Sequence, residues 1–190
     1  MELVEGETLG VINAQSESDV DIATLDIAEG RFTRLLFGEG NQNEPAIAPN
    51  GQWMAHIDTA SGNGQSEVNI RPWPSVFRTR IPVAPGASPV FSRDGSKLFY
   101  LELDGTGISA VDISYEPNIS VSAPYRVIEG TRYLWNLFGR TWDPDATGER
   151  FLVIRDPVAP AEEFVDDADR TRIDVVLNWF EELKERVPTQ

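Results

Sequence analysis

The chain contains no cysteine and a single histidine, His56, in 190 residues. Without a thiol there is no disulfide, no zinc–thiolate centre and no cysteine nucleophile. With one histidine, any acid–base machinery of the serine-hydrolase kind would have to be built around that residue. Basic side chains are also scarce, 16 Lys and Arg against 31 Asp and Glu, for a net charge of −15. A field of that sign repels phosphate backbones, so no nucleic acid is expected as a partner, and the acidity reads as a solvated surface. No run approaches the ~20 apolar residues of a membrane span, so no membrane insertion is expected. The first residues, Met1 to Glu7, have neither the basic start nor the apolar core of a secretory signal. What the chain does have is punctuation, with 15 Gly and 13 Pro set among 41% apolar residues. That is enough for one substantial core or a run of repeats sharing one.

The punctuation repeats. Pro45-Ala46-Ile47-Ala48-Pro49-Asn50-Gly51, Pro89-Val90-Phe91-Ser92-Arg93-Asp94-Gly95 and Thr141-Trp142-Asp143-Pro144-Asp145-Ala146-Thr147-Gly148 each run from a short apolar strand through a polar turn closed by Gly into a second strand. The glycines stand 44 and 53 residues apart, a period that points to stacked four-stranded units such as propeller blades. Residues 1–19 read as a polar, extended lead-in. A hairpin follows, Val20 to Ile27 and Arg31 to Phe37, then a loop from Gly38 to Asn43. The first unit is expected to place strands at 45–48, 52–58, 67–73 and 76–83, and the second at 89–92, 97–103, 107–113 and 125–128. The last unit starts at 139–142, continues through 150–154, and is interrupted by an acidic, Pro-containing loop from Asp156 to Arg170. Ile173 to Leu177 resumes a strand. Asn178 caps a helix over 179–187, in which Trp179, Leu183 and Val187 share one face and Pro188 ends the run. The expected class is therefore all-β, a partial β-propeller of about four four-stranded blades with a short C-terminal helix. It forms one domain over 1–190, with the lead-in at 1–19 and blade repeats over 20–178.

At the repeated phrases the sequence resembles the TolB-like, or WD40-like (PD40), β-propeller repeat, whose hallmark is Ser-Pro-Asp-Gly between an apolar residue and a strand. Ser92-Arg93-Asp94-Gly95 matches it in three places and Ala48-Pro49-Asn50-Gly51 in two, while Asp143-Pro144-Asp145 carries the central pair with two extra residues before Gly148. The tail from Ile173 to Lys184 looks like the C-terminus of bacterial serine/threonine kinases and regulators that carry such a propeller. The chain has no Gly-rich nucleotide loop, His-Arg-Asp loop or Asp-Phe-Gly segment, so kinase activity does not carry over. The resemblance implies an extracytoplasmic or periplasmic setting, whereas the chain as written, without an export signal, implies the cytoplasm.

The candidate chemistry is thin. Strand alternation places His56 on the face of Met54, opposite Trp53 and Ala55, where a structural role is expected. No Gly-x-Ser-x-Gly elbow supplies a nucleophile. Asp143-Pro144-Asp145-Ala146-Thr147-Gly148-Glu149 begins like a calcium loop, but its twelfth position is Ile154 rather than a bidentate Glu, so a turn is the better account and a weak cation site the alternative. Ser92 to Gly95 overlaps the sialidase Asp-box without its Thr-Trp ending. The acid pairs Glu162-Glu163 and Asp166-Asp167 read as solvated loop. Trp135, in Tyr133 to Phe138, is either buried between blades or part of an aromatic contact surface. No catalytic, cofactor-binding or metal-ligating residue and no cofactor is assigned. The expected function is a noncatalytic propeller scaffold, not an enzyme, that binds protein and closes its ring as a homodimer or higher oligomer. The alternatives are a small-molecule or glycan sensor and, less favoured, a lyase or hydrolase fragment.

Overall fold

The structure is a computed structural model, and it describes residues 2–3, 9–15, 19–59, 64–129 and 140–154. The chain divides into two units, 1–156 and 157–190, and the described residues all belong to the first. The expected strand at 173–177, the helix at 179–187, the acidic loop and Trp135 lie outside the described residues.

Everything regular in the described residues is strand. A first sheet takes β1 (Glu2–Leu3), β2 (Leu9–Gln15), β3 (Val20–Asp26) and β4 (Arg31–Leu36). A second takes β5 (Asn41–Ile47), β6 (Trp53–Thr59), β7 (Ser66–Pro72) and β8 (Ile81–Pro85). A third takes β9 (Ala87–Phe91), β10 (Lys97–Leu101), β11 (Gly107–Ser114) and β13 (Tyr125–Glu129), with the short β12 (Ser120–Val121) also on β11. A two-stranded sheet, β14 (Trp142–Pro144) and β15 (Phe151–Val153), begins a fourth. Each larger sheet is an antiparallel meander in chain order. No helix among the described residues is long and apolar enough to cross a membrane.

The third sheet is buried on both faces because its middle strands are apolar at odd and even positions alike. On β10, Leu98 and Tyr100 join the cluster shared with the second sheet, while Phe99 and Leu101 join the one shared with β14–β15. The same division holds on β11, where Val111 and Ile113 point one way and Ile108 and Ala110 the other. Between the first and second sheets lies a smaller cluster of Ile22, Leu36, Met54 and Val76.

Three expectations shift. The lead-in at 1–19 carries two strands, and β2 pairs with β3 from Leu9↔Asp26 to Gln15↔Val20, so the leading hairpin is part of a full four-stranded sheet. Gly10 and the polar Asn13 and Gln15 weaken the alternation that would have announced β2. β5 starts at Asn41 inside the expected loop, and a bulge between Asn43 and Ala46 breaks its register and its pattern. The strand expected at 76–83 starts at Ile81. Pro74 cannot donate to a ladder, and the segment after it turns instead, with the Val76 N–H donating to the Pro74 carbonyl and Val76 buried in the small cluster.

Candidate functional site

The Gly-centred turns come first, because they looked most like motifs. In each of four turns, the N–H of a left-handed Gly donates to the carbonyl three residues back: Gly51 to Ala48, Gly95 to Ser92, Gly105 to Glu102 and Gly148 to Asp145, at 2.8–3.1 Å. The residue before Gly then accepts from the N–H two residues on, at 3.0 Å from Asn50 to Gln52, 3.0 Å from Asp94 to Ser96 and 2.9 Å from Asp104 to Thr106. In the last turn Thr147 takes that place, its hydroxyl accepting from Glu149 N–H at 3.3 Å. Hydrogen bonding thus aligns Asp145-Ala146-Thr147-Gly148 with Ser92-Arg93-Asp94-Gly95, and Pro144-Asp145 is not the central pair of the phrase. There are no extra residues, only a register moved by two.

These carboxylates are committed to their turns. Asp145 accepts from the Thr147 hydroxyl at 2.7 Å and from Arg150 Nε at 2.9 Å, and these bonds hold its carboxyl well below the usual range. Asp94 is likewise held low, first by the Ser92 hydroxyl at 2.7 Å and then by Ser96. Beside these turns a recess of about 530 Å³ spans the ends of β5, β9 and β14, with Arg93, Arg140, Asp143 and Asp145 on its wall. Its acids are already engaged, Asp143 with Arg140 at 3.3 Å and Asp145 with Arg150.

A second cavity, of about 440 Å³, opens between the first and second sheets and is built differently. On β6 and β7 the alternation that sends Ala55, Ile57, Val68 and Ile70 into the apolar cluster facing the third sheet turns His56, Asp58, Glu67, Asn69 and Arg71 the opposite way. Leu36 and Phe37 complete the wall from the first sheet, and Arg80 closes it from the start of β8.

His56 is fully buried at the back of this polar face. Its Nε2 accepts from Arg71 Nε at 3.0 Å, so in the neutral ring Nδ1 carries the proton. That nitrogen points towards Asp58, with Oδ1 at 3.6 Å, beyond a good hydrogen bond. Burial first, then the Arg71 charge, pushes the imidazole down to about 3. Arg71 also donates to the Val76 carbonyl at 3.0 Å, which ties the face to the turn after β7. Burial lowers the Arg71 guanidinium and raises the Asp58 carboxyl, with each other's charge opposing the change. Arg80 spans Asp58 at 3.4 Å and Glu67 at 2.9 Å.

Gln42 sits opposite Asp58 in the β5–β6 register. Its amide nitrogen donates to the Glu39 and Gly40 carbonyls, both at 3.3 Å, and its buried Oε1 has no partner. Sequence reasoning found His56 and its face. It missed Gln42, Asp58, Arg71 and Arg80, whose one signal was the polar alternation of Glu67-Val68-Asn69-Ile70-Arg71.

Four-stranded antiparallel meanders that follow one another in the chain, each packed face to face on the next, are the construction of a propeller. The fold is a partial β-propeller. Three blades of four strands and the first hairpin of a further one occupy the described residues. No family model matches the chain. No curated protein matches it either. Solved structures do. Hydrazine synthase of Kuenenia stuttgartiensis is 13% identical, with a TM-score of 0.52 over 83% of this chain and 58% of that one. TolB of Acinetobacter baumannii is 18% identical, with a TM-score of 0.48 over 65% of this chain and 30% of that one. The propeller domain of the trilobed protease of Pyrococcus furiosus is 15% identical, with a TM-score of 0.43 over 67% and 41%. The chain thus spans 30–58% of the length of these structures. The propeller expectation is met at the level of the fold.

Proposed function

We propose that the chain is a noncatalytic propeller module that works by binding protein, a second copy of itself first. The observation that carries this reading is the uneven cover of the last blade. In the third blade both faces of the sheet are packed, whereas on β15 Phe151 and Val153 pack inwards and Leu152 is 78% exposed, with Ile154 beside it 54% exposed. A blade face of that kind is completed by another sheet, and a twofold pairing of identical faces is the commonest way for a soluble chain to supply one. The burial of His56 supports the noncatalytic part. Its acceptor nitrogen is taken by Arg71, and its basicity is too low to collect a proton at neutral pH.

The test is the molar mass in solution. Light scattering at micromolar concentration is expected to give a multiple of the 21.1 kDa chain, and Leu152→Glu is expected to return it to one chain while near-UV circular dichroism keeps its folded signature. A well-folded wild-type protein at a single chain mass overturns the proposal.

A further inference from the structure

Where β4, the last strand of the first sheet, meets the turn after β7, a groove of about 420 Å³ is lined by Leu35 from the strand and by Pro74 and Phe77 from the turn. It shares no residue with the cavity beside Asp58. A bulge in the β3–β4 register falls at Leu35, between Arg34 opposite Ala23 and Leu36 opposite Ile22. The bulge brings the consecutive side chains of Arg34 and Leu35 to the same groove. The apolar side of this groove stands in water. Phe77 is 63% exposed, and Phe37, edge-on to it at 5.6 Å, is 47% exposed. Its charge is of one sign, in a chain whose net charge is −15. Among the described residues, the charged groups that line it are Arg34 and Arg78 alone. Arg34 is held by Asp21, Nη2 to Oδ2 at 2.5 Å, and by the Phe37 ring, whose centre lies 4.6 Å from the guanidinium carbon. It stays 59% exposed with N–H groups to spare, whereas Asp21 is withdrawn from water. Arg78 is exposed, and its side chain makes no hydrogen bond or ion pair among the described residues.

The occupant must bring hydrocarbon to Phe77 and Leu35 and anionic oxygen to two guanidiniums. A small inorganic anion meets only the second demand, and a purely apolar surface only the first. An extended peptide in which carboxylates flank an apolar side chain meets both, because Arg pairs with carboxylates through paired N–H groups and aromatic side chains supply most of the contact energy. The strand offers such a peptide its backbone too. Along residues 31–34, β4 is exposed and pairs with β3 alone among the described residues, which leaves its other edge for an added strand. We propose that this groove docks an extended acidic peptide of a partner protein, an apolar side chain entering between Leu35, Pro74 and Phe77 while its neighbouring carboxylates pair with Arg34 and Arg78. The site is separate from the exposed face of β15 and does not depend on the chain pairing with a copy of itself.

The test is selection of a random dodecapeptide phage library on the full chain, followed by calorimetry with the synthetic peptide that enriches. Enriched sequences are expected to set Asp or Glu beside Leu, Ile, Val or Phe. Arg78→Ala and Phe77→Ser are each expected to weaken the peptide about tenfold, and both side chains are exposed, so the fold does not rest on them. Arg93→Ala removes an equally unpartnered arginine from the turn between β9 and β10 and is expected to leave binding unchanged. The amides of β4 are expected to exchange more slowly in the complex. The proposal is overturned if no acidic, apolar sequence enriches, if the peptide binds both groove variants as it binds the wild type, if Arg93→Ala weakens it equally, or if exchange along β4 is unaltered. Light scattering separates this site from self-pairing. Phe77→Ser is expected to keep the molar mass of the wild type, and a fall in mass would make the groove a joint between copies and overturn the proposal.

Discussion

The two faces of the second blade are made by the same strands and could hardly differ more. Towards the third blade, Ala55 and Ile57 of β6 and Val68 and Ile70 of β7 are wholly buried in an apolar cluster with Leu98, Tyr100 and Val111. Towards the first blade, the residues between them are His56, Asp58, Glu67, Asn69 and Arg71, among which only His56 and Asn69 are fully buried. One face gains stability from removing hydrocarbon from water, about 25 cal/mol for each Å². The other carries, beside the small cluster around Met54, polar groups that must find one another, and several buried atoms on it find no partner: Gln42 Oε1, Asn69 Oδ1 and His56 Nδ1. Stability is concentrated on the first face.

The largest effect is expected where the apolar face is cut. Ile57→Ala removes a fully buried side chain from the centre of that cluster and should cost about 2–5 kcal/mol, read as a lower denaturant midpoint. The same measurement on Arg80→Ala, on the polar face, should move stability by about 1 kcal/mol or less, because that ion pair is half exposed. Equal losses from the two variants would break the contrast.

The next effect separates the faces by pH. His56 is held neutral in the fold, at about 3, while in the unfolded chain it takes up a proton near 6.5. Its pKa is lowered by folding, so the unfolded state binds more protons below 6.5 and the fold loses stability as pH falls from there towards about 3, by about 1.4 kcal/mol for each pH unit. Asp58, raised by burial, has the opposite sense, and its contribution is lost as pH rises through its folded value. Arg71 and Arg80 are the other charges facing the ring. Comparing His56→Gln with the wild type between about pH 4 and pH 7 isolates the histidine. The variant's stability should fall less steeply with acid, and parallel curves would show that His56 is protonated within the fold.

This contrast was half legible beforehand. The apolar face could be read because β-branched and aromatic residues at alternate positions mark one side of a strand whatever covers it, and the third blade, apolar at every position of Leu98-Phe99-Tyr100-Leu101, announced burial on both sides. The polar face could not be read. Alternating Glu67, Asn69 and Arg71 look the same whether they meet water or a neighbouring sheet, and the opposition of Gln42 to Asp58 depends on a register that the bulge in β5 sets. Arg80 reaches both Asp58 and Glu67 from the residue before a strand whose start was misplaced by five residues, because the turn after Pro74 consumes chain that propensity assigned to strand. The first blade was underestimated for a similar reason, since Gly10 and Asn13 hide a strand that seven paired residues make plain.

The smallest effect concerns a polar contact between the second and third blades. Glu44 and Ser88 stand 44 residues apart, one repeat, and both adopt a left-handed backbone, with φ of 53° and 50°, which costs free energy for residues other than glycine. Each is held by a side chain from the preceding sheet. Asn13 Oδ1 accepts from the Glu44 N–H at 2.9 Å, and Glu44 Oε2 accepts from the Ser88 N–H at 2.6 Å. Since Ser88 is buried, the second bond is a charge-assisted one in poor contact with water, stronger than its neutral counterpart. Glu44→Gln keeps the acceptor and removes the charge, and should cost about 1 kcal/mol. If the bond sets the joint between the second and third blades, the amide of Ser88 should also exchange faster in the variant, while the amides of β6 and β7 keep their protection. A uniform loss of protection across the second blade would show instead that Glu44 supports the apolar face as a whole, and the division of labour between the two faces would not hold at its inner edge.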